Sequence, residues 1–419
     1  MKKAEVLIYG KDSLDRVFSR SQLDDTKAYE IVRDIINNVR ENGDNALFDY
    51  TLKLDKLHIN KDTIKVNEAE IEQAYKEVDN ELLEALRRAK SNVLEYHKKQ
   101  VIDTEIEGQV GWIMKPMKKA GIYVPGGTAS YPSSVLMCVL PAIAAGVEDI
   151  IVVTPRPENP LTLVALSECG VKNIYKIGGA QAIAALAYGT ETIPKVDIIA
   201  GPGNIYVALA KKLVFGNVAI DMIAGPSEIL VIADETAKPD YVINDLLSQA
   251  EHDAMSASIL ITNCKDLANI VAEKIYGYAD KFDRADIIKK SLDNNLAIIL
   301  VDSLETAVKI SNKVAPEHLE LAVNKPGNII DLVDNAGAIF CGHYSPEPLG
   351  DYYAGPSHTL PTSGTARYFS VLNTLTYMKR ISYICYDKDS LAKVSDDIIR
   401  IAESEGLDAH AEAIRIRRK

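Results

Sequence analysis

From Lys119 onward the chain alternates short β-branched runs with alanine-rich stretches of helical length, and few folds accept that rhythm. The runs are Ala120–Val124, Asp149–Thr154, Asn173–Ile177, Val196–Ala200 and Glu228–Ala233. Between them lie Ser133–Ala145, Leu161–Cys169, Ala180–Tyr188 and Asn204–Phe215. A continuously apolar strand offers water no polar face, so both of its faces must be covered, and the helical stretches supply the cover. Sharp reversals are marked by Pro125-Gly126-Gly127, Gly178-Gly179, Gly201-Pro202-Gly203 and Gly225-Pro226. This predicts a doubly wound parallel sheet over residues 121–235.

A second alternation follows. Tyr241–His252, Asp266–Tyr278 and Leu304–Asn312 read as helices, and Ala257–Thr262, Leu296–Val301, Leu319–Val323 and Ala336–Phe340 as strands. The charged helical patterns Asp24–Asn42 and Ile71–Lys99 are expected to complete this second layer. The expected fold is α/β, with two doubly wound domains around a cleft. Residues 121–235 form one domain and residues 22–120 with 236–380 the other, flanked by small extensions at 1–21 and 381–419. The stretch Gly342–Thr376 has little periodicity, and a loop that long inside a compact protein is usually functional.

Charge and composition narrow the function. In 419 residues, 47 Lys and Arg stand against 59 Asp and Glu, a net charge of −12. That balance argues against a nucleic-acid surface, which needs a basic excess to meet phosphates. The terminal Arg415, Arg417, Arg418 and Lys419 suit the end of a last helix. The longest apolar stretch, Val135–Val147, contains Pro141 and falls short of the about 20 residues a membrane span needs. No apolar segment follows Lys2 and Lys3, so no signal peptide is read. Cys138, Cys169, Cys264, Cys341 and Cys385 are odd in number and form no C-x-x-C, which suits reduced thiols in a cytoplasmic protein. His58 and His97 read as surface residues.

Four polar contexts carry chemistry. Gln249 and His252 are three apart on a predicted helix and share a face, while Glu251 points away from it. Glu317-His318 follows Pro316 at a strand entrance, and either a proton-handling pair or a plain ion pair fits there. Asp351 and His358 share a turn-rich loop, and Glu405 and His410 lie in the tail. Gln, Asp and His suit a divalent site of the zinc type, and no cysteine cluster competes. Gly201-Pro202-Gly203-Asn204 opens a helix after a strand, as a phosphate cradle does. It lacks a third glycine, Asp221 matches the ribose-binding acid only loosely, and a simple tight turn stays an open alternative.

In order along the chain, the motifs are GIYVPGGT (Gly121–Thr128), GGAQAIAA (Gly178–Ala185), GPGNIYV (Gly201–Val207), GPSEILVIAD (Gly225–Asp234), LSQAEHD (Leu247–Asp253), APEHLE (Ala315–Glu320), Gly350–His358 and EGLDAH (Glu405–His410). Together they resemble the histidinol dehydrogenase family over nearly the whole chain. The resemblance implies an aldehyde-dehydrogenase-like fold and the NAD+-dependent oxidation of L-histidinol through L-histidinaldehyde to L-histidine, the last step of histidine biosynthesis. It implies one Zn2+ per site on Gln249, His252, Asp351 and His410, with Glu317 and His318 as the acid–base pair. Those six residues would surround the substrate together with Ser227, His358 and Glu405, and Tyr123, Gln181 and Asn204 would contact NAD+. It also implies a cytoplasmic homodimer with a shared active site, and neither nucleic-acid nor membrane partners are expected. The chain departs from many members at Ser357, where they carry Asn. Three rival classes stay open on the residues alone: an aldehyde dehydrogenase using Cys138 as nucleophile, a zinc hydrolase without nicotinamide, and a non-catalytic metal-binding scaffold.

Overall fold

The computed structural model describes residues 2–19, 26–126, 131–155 and 159–418. Gly127 and Thr128 of the first glycine turn, the start of the first predicted helix, the expected boundary at residue 21 and Lys419 lie outside the described residues. In chain order, β1 (Val6–Ile8) and α1 (Asp15–Phe18) precede α2 (Thr26–Tyr50), α3 (Glu68–Glu77) and α4 (Asn80–Lys98). Then come β2 (Glu105–Glu107) and β3 (Val110–Pro116). The first predicted alternation runs β4 (Lys119–Tyr123), α5 (Pro132–Ala145), β5 (Asp149–Val153), α6 (Pro160–Glu168), β6 (Asn173–Tyr175), α7 (Gly179–Tyr188), β7 (Ile198–Ala200), α8 (Ile205–Val214) and β8 (Ala219–Ile220). The second runs β9 (Glu228–Ala233), α9 (Pro239–Ala250), β10 (Ala257–Thr262), α10 (Lys265–Ala279), α11 (Ala285–Asn295), β11 (Leu296–Leu300), α12 (Leu304–Val314), β12 (His318–Ala322), β13 (Ala338–Cys341) and α13 (Glu347–Tyr352). Last are β14 (Met378–Ile384), α14 (Lys388–Ser404) and α15 (Asp408–Arg415).

The chain divides into two units, Met1–Val101 with Met117–Tyr377, and Ile102–Pro116 with Met378–Lys419. The larger unit holds two all-parallel sheets, β6-β5-β4-β7-β8 and β1-β11-β10-β9-β12-β13. Each is wound outward from a central pair, β4/β7 in one and β9/β12 in the other, the doubly wound order that the alternating pattern predicts. All six residues of β9 and of β10 are buried, which is why these runs carry no polar alternation.

Four expectations change. Glu228–Ala233, grouped with the 121–235 segment on sequence, pairs with β10 and β12 in the six-stranded sheet. The amino-terminal helices, expected to complete the second layer, cover the first. Val32, Ile36, Val39 and Leu47 of α2 are buried in one core with Ile183, Leu186 and Leu209, and each such side chain contributes about 1.5–3 kcal/mol by leaving water. The long pattern at 71–99 is two helices: Val78 is extended and the Asp79 side chain accepts from Leu82 N–H, which starts α4 anew. His97 is also buried, not at the surface, with Nδ1 2.7 Å from Gln100 Oε1; His58 is exposed.

In the smaller unit β14, β3 and β2 form an antiparallel sheet, and α14 packs on α15. Arg415 pairs with Glu403 and Arg418 with Asp396, so the terminal arginines join α15 to α14. Among the described residues no helix is long and apolar enough to cross a membrane.

Candidate active site

The site begins where α12 gives way to β12. Ala315 caps α12 with a left-handed backbone (φ 49°), Pro316 cannot extend the helix, and the chain re-enters the sheet at His318. His318 stands opposite Ile229 of β9 and Ala338 of β13. Gly337 N–H donates to Pro316 O at 2.9 Å, and a Cβ on Gly337 would stand 2.5 Å from Glu317 O, so only glycine allows this approach. Glu317 and His318 therefore sit at the amino end of the central strands. Open α/β sheets usually bind ligands at the carboxyl ends.

Main-chain bonds to Glu228 fix both side chains. Glu228 N–H donates to Glu317 Oε2 at 2.8 Å, and His318 Nδ1 lies 2.9 Å from Glu228 O. A carbonyl can only accept, so Nδ1 carries the proton and the lone pair is left on Nε2. That Nε2 is buried without a hydrogen-bond partner among the described residues, 4.0 Å from Glu347 Oε1 and 4.0 Å from Asp351 Oδ1. Burial lowers the His318 imidazole to about 4, against the opposing pull of Asp351, and holds it neutral. Burial pushes the Glu317 carboxyl well above the usual carboxylate value.

Asp351 stands one helical turn after Glu347 on α13, and His252 follows the end of α9. His252, Glu347 and Asp351 each offer a ligand atom within 4.8 Å of the others. Gln249, three before His252 and 1% exposed, has neither amide atom hydrogen-bonded among the described residues. Glu347 is pushed up to about 9, first by burial and then by the Asp351 charge. Behind it Glu320 and Asp245 form a second buried carboxyl pair, with Asp245 raised to about 6 by burial. His358 Nδ1 lies 3.7 Å from Asp351 Oδ1, and its Nε2 lies 3.2 Å from Ser134 Oγ on α5. Imidazole, carboxylate and amide donors of this kind, buried and unsatisfied, fit a divalent cation of the zinc type.

The structure thus brings Glu317, His318, His252, Asp351 and His358 together. Ser227 lies half-buried just before β9. Glu405 and His410 belong to the smaller unit, where both are exposed. Sequence reasoning missed Glu347, whose available signal was its i, i+4 spacing to Asp351.

Tyr123, Gln181 and Asn204 lie at the carboxyl end of the five-stranded sheet. The Tyr123 hydroxyl accepts from Gly179 N–H at 3.2 Å, and burial raises it to about 12. Gln181 is 1% exposed and its Oε1 has no hydrogen-bond partner among the described residues, and Asn204 caps α8 by accepting from Tyr206 and Val207 N–H. Asp221, the loose candidate for a ribose, is committed elsewhere: it pairs with buried Lys211 and accepts from Gly201 N–H at 2.9 Å. Cys138 is fully buried against Thr359, and burial raises its thiol to about 12, so it is no thiolate nucleophile. Ser357 donates to Met137 O and accepts from Thr359 N–H, which ties the His358 loop to α5.

This architecture is an α/β fold that sets a buried Glu-His pair beside metal-competent donors. The family profile described as histidinol dehydrogenase matches residues 18–418. A histidinol dehydrogenase of Caldanaerobacter subterraneus subsp. tengcongensis is 52% identical over 96% of this chain and 95% of its own. One from Clostridium acetobutylicum is 51% identical over 98% of this chain and 97% of its own. The crystal structure of histidinol dehydrogenase from Elizabethkingia anophelis superposes with a TM-score of 0.93 at 37% identity, covering 100% of this chain and 98% of that one. The chain belongs to the histidinol dehydrogenase family, and it is an oxidoreductase of histidine biosynthesis.

Proposed function

We propose that this chain oxidises L-histidinol to L-histidine in two NAD+-linked steps through L-histidinaldehyde, with one zinc ion per site. The observation that carries the reading is the His318 ring, whose Nδ1 is committed to Glu228 O while Nε2 faces Glu347 and Asp351. Gln249, His252 and Asp351 would hold the zinc ion, with His410 of a second copy of the chain. When bound, zinc supplies coordination positions for the imidazole and amine nitrogens of histidinol and so fixes the reacting carbon, an orienting effect worth up to about 7–11 kcal/mol in favourable cases. Tyr123, Gln181 and Asn204 would hold NAD+, which would supply the hydride acceptor for both oxidations.

The chain's own residues handle the protons. In the first step His318 Nε2 takes the hydroxyl proton as the carbon loses hydride, leaving the aldehyde. In the second, Glu317 takes a proton from a water that adds to the aldehyde carbon, while His318 returns the proton it took in the first step to the aldehyde oxygen, giving the hydrate. His318 then accepts the hydroxyl proton of the hydrate as the second hydride leaves. A buried carboxyl with raised proton affinity suits the water step, and a neutral imidazole with a free lone pair suits the alcohol step. Ser227, His358 and Glu405 would position the substrate. Ser134 holds the ring of His358 by its Nε2, leaving Nδ1 toward Asp351.

The chain is proposed to be a cytoplasmic homodimer in which each active site draws on both copies. The direct test is purified protein with L-histidinol and NAD+. The reading expects two NADH per histidine formed; no NADH, or accumulation of aldehyde at one NADH, would count against it.

A further inference from the structure

Glu347 opens α13 and is 2% exposed, yet its Oε1 has no hydrogen-bond partner among the described residues. Its other end is well anchored. Glu347 N–H donates to Glu320 Oε1 at 2.7 Å, and Ser248 Oγ lies 3.4 Å from Glu347 Oε2. One oxygen is therefore tethered, and a carboxylate oxygen of Glu347 lies within 4.8 Å of ligand atoms of His252 and Asp351. Gln249 adds a second buried, unpartnered side chain from the end of α9. Two carboxylates this close, out of water, repel one another unless a proton or a positive charge lies between them. Zinc–ligand bonds of about 2.0–2.2 Å set three ligands of one ion roughly 3.5–3.8 Å apart, so closure by about 1 Å, within the reach of side-chain torsions, brings all three onto one centre.

We propose that Glu347 is a direct carboxylate ligand of the divalent cation in the substrate-free protein, beside His252 and Asp351, and that it yields its place when histidinol binds. The inference rests on the cation reading above and adds a ligand to it. Asp351 alone leaves a doubly charged cation with net positive charge; Glu347 brings the resting site to neutrality. Gln249, His252, Asp351, His410 of the second copy and two substrate nitrogens already number six, more than the four or five that zinc usually takes, so the carboxylate must give way.

The test uses full-length protein, stripped by chelation and dialysis, then titrated with Zn2+ and separately with Co2+. E347Q keeps the side-chain shape and removes the charge. Its cation affinity is expected to fall by at least roughly 10-fold. Its Co2+ absorption spectrum should differ from that of the unaltered protein without histidinol and coincide with it once histidinol is added. Unchanged affinity and an unchanged substrate-free spectrum would overturn the assignment while leaving the cation site in place. Absence of cation uptake by the unaltered protein would overturn both together. Should E347Q fail to give a cooperative melt, Glu347→Asp, which withdraws the carboxylate by one methylene, is judged by the same two criteria.

Discussion

A hydrogen bond from Nδ1 to the Glu228 carbonyl decides what His318 can do, since it leaves Nε2 as the only proton acceptor on the ring. Burial lowers His318 from 6.5 to about 4, so the unfolded chain binds a proton on this residue between those values and the folded protein does not. The His318 contribution to stability is therefore present above pH 6.5 and lost as pH falls toward 4, on the order of 3 kcal/mol in all. Melting curves of the metal-free protein and of His318→Asn should diverge over that window, with the variant less acid-sensitive; parallel curves would contradict the assignment. Glu317 has the opposite sign. Its folded value is raised, so its contribution is present below the unfolded value and is lost as pH rises through the folded one. Glu317→Gln is expected to slow aldehyde oxidation by roughly 10²–10⁴-fold and alcohol oxidation far less, measured by single turnovers from each substrate. Equal slowing would refute the division of roles. Glu317 and His318 were readable because a Glu-His pair behind Pro316 is unusual at a strand entrance. Glu347 was not, because Pro346-Glu347-Pro348 reads as loop and only the fold buries it.

At the scale of elements, the turn after β7 shows how a buried charge pair can hold a loop. Lys211 Nζ donates to Gly201 O at 2.9 Å while its partner Asp221 accepts from Gly201 N–H, so both main-chain groups of one residue are gripped. Gly201 has φ +118°, and a Cβ there would stand 2.1 Å from Tyr123 O. Lys211→Met alone strands a buried carboxylate and is expected to cost about 3–5 kcal/mol, whereas Lys211→Met with Asp221→Leu should recover much of that in denaturant melts. Equal losses would mean that the pair is not the unit of stability. Most strands were legible because fully buried parallel strands are continuous apolar runs, and the helix N-caps at Asn204 and Ser303 mark their own starts. The β14-β3-β2 sheet was not, since β2 and β3 form a short, half-exposed hairpin and its third strand, β14, comes from far along the chain. The membership of β9 was equally hidden: an apolar run shows that a strand is covered, not which sheet covers it.

For the whole molecule, the two doubly wound sheets were legible as a rhythm, but the packing of α2 on the first sheet depends on three-dimensional shape that periodicity does not carry. Glu405 and His410 lie in the smaller unit, and the proposal gives them a part in a site shared by two copies of the chain. Mixed Glu317→Gln and His410→Asn subunits should regain activity that neither variant has alone, through one intact site per hybrid dimer; no recovery would place the ligand in cis. His252→Asn should lower zinc content and turnover together. The most direct measurement is turnover of the protein stripped of metal by chelation. NADH formation from histidinol is expected to stop and to return as about one equivalent of Zn2+ per chain is restored. Undiminished oxidation of histidinol to histidine by verified metal-free protein would contradict the zinc reading.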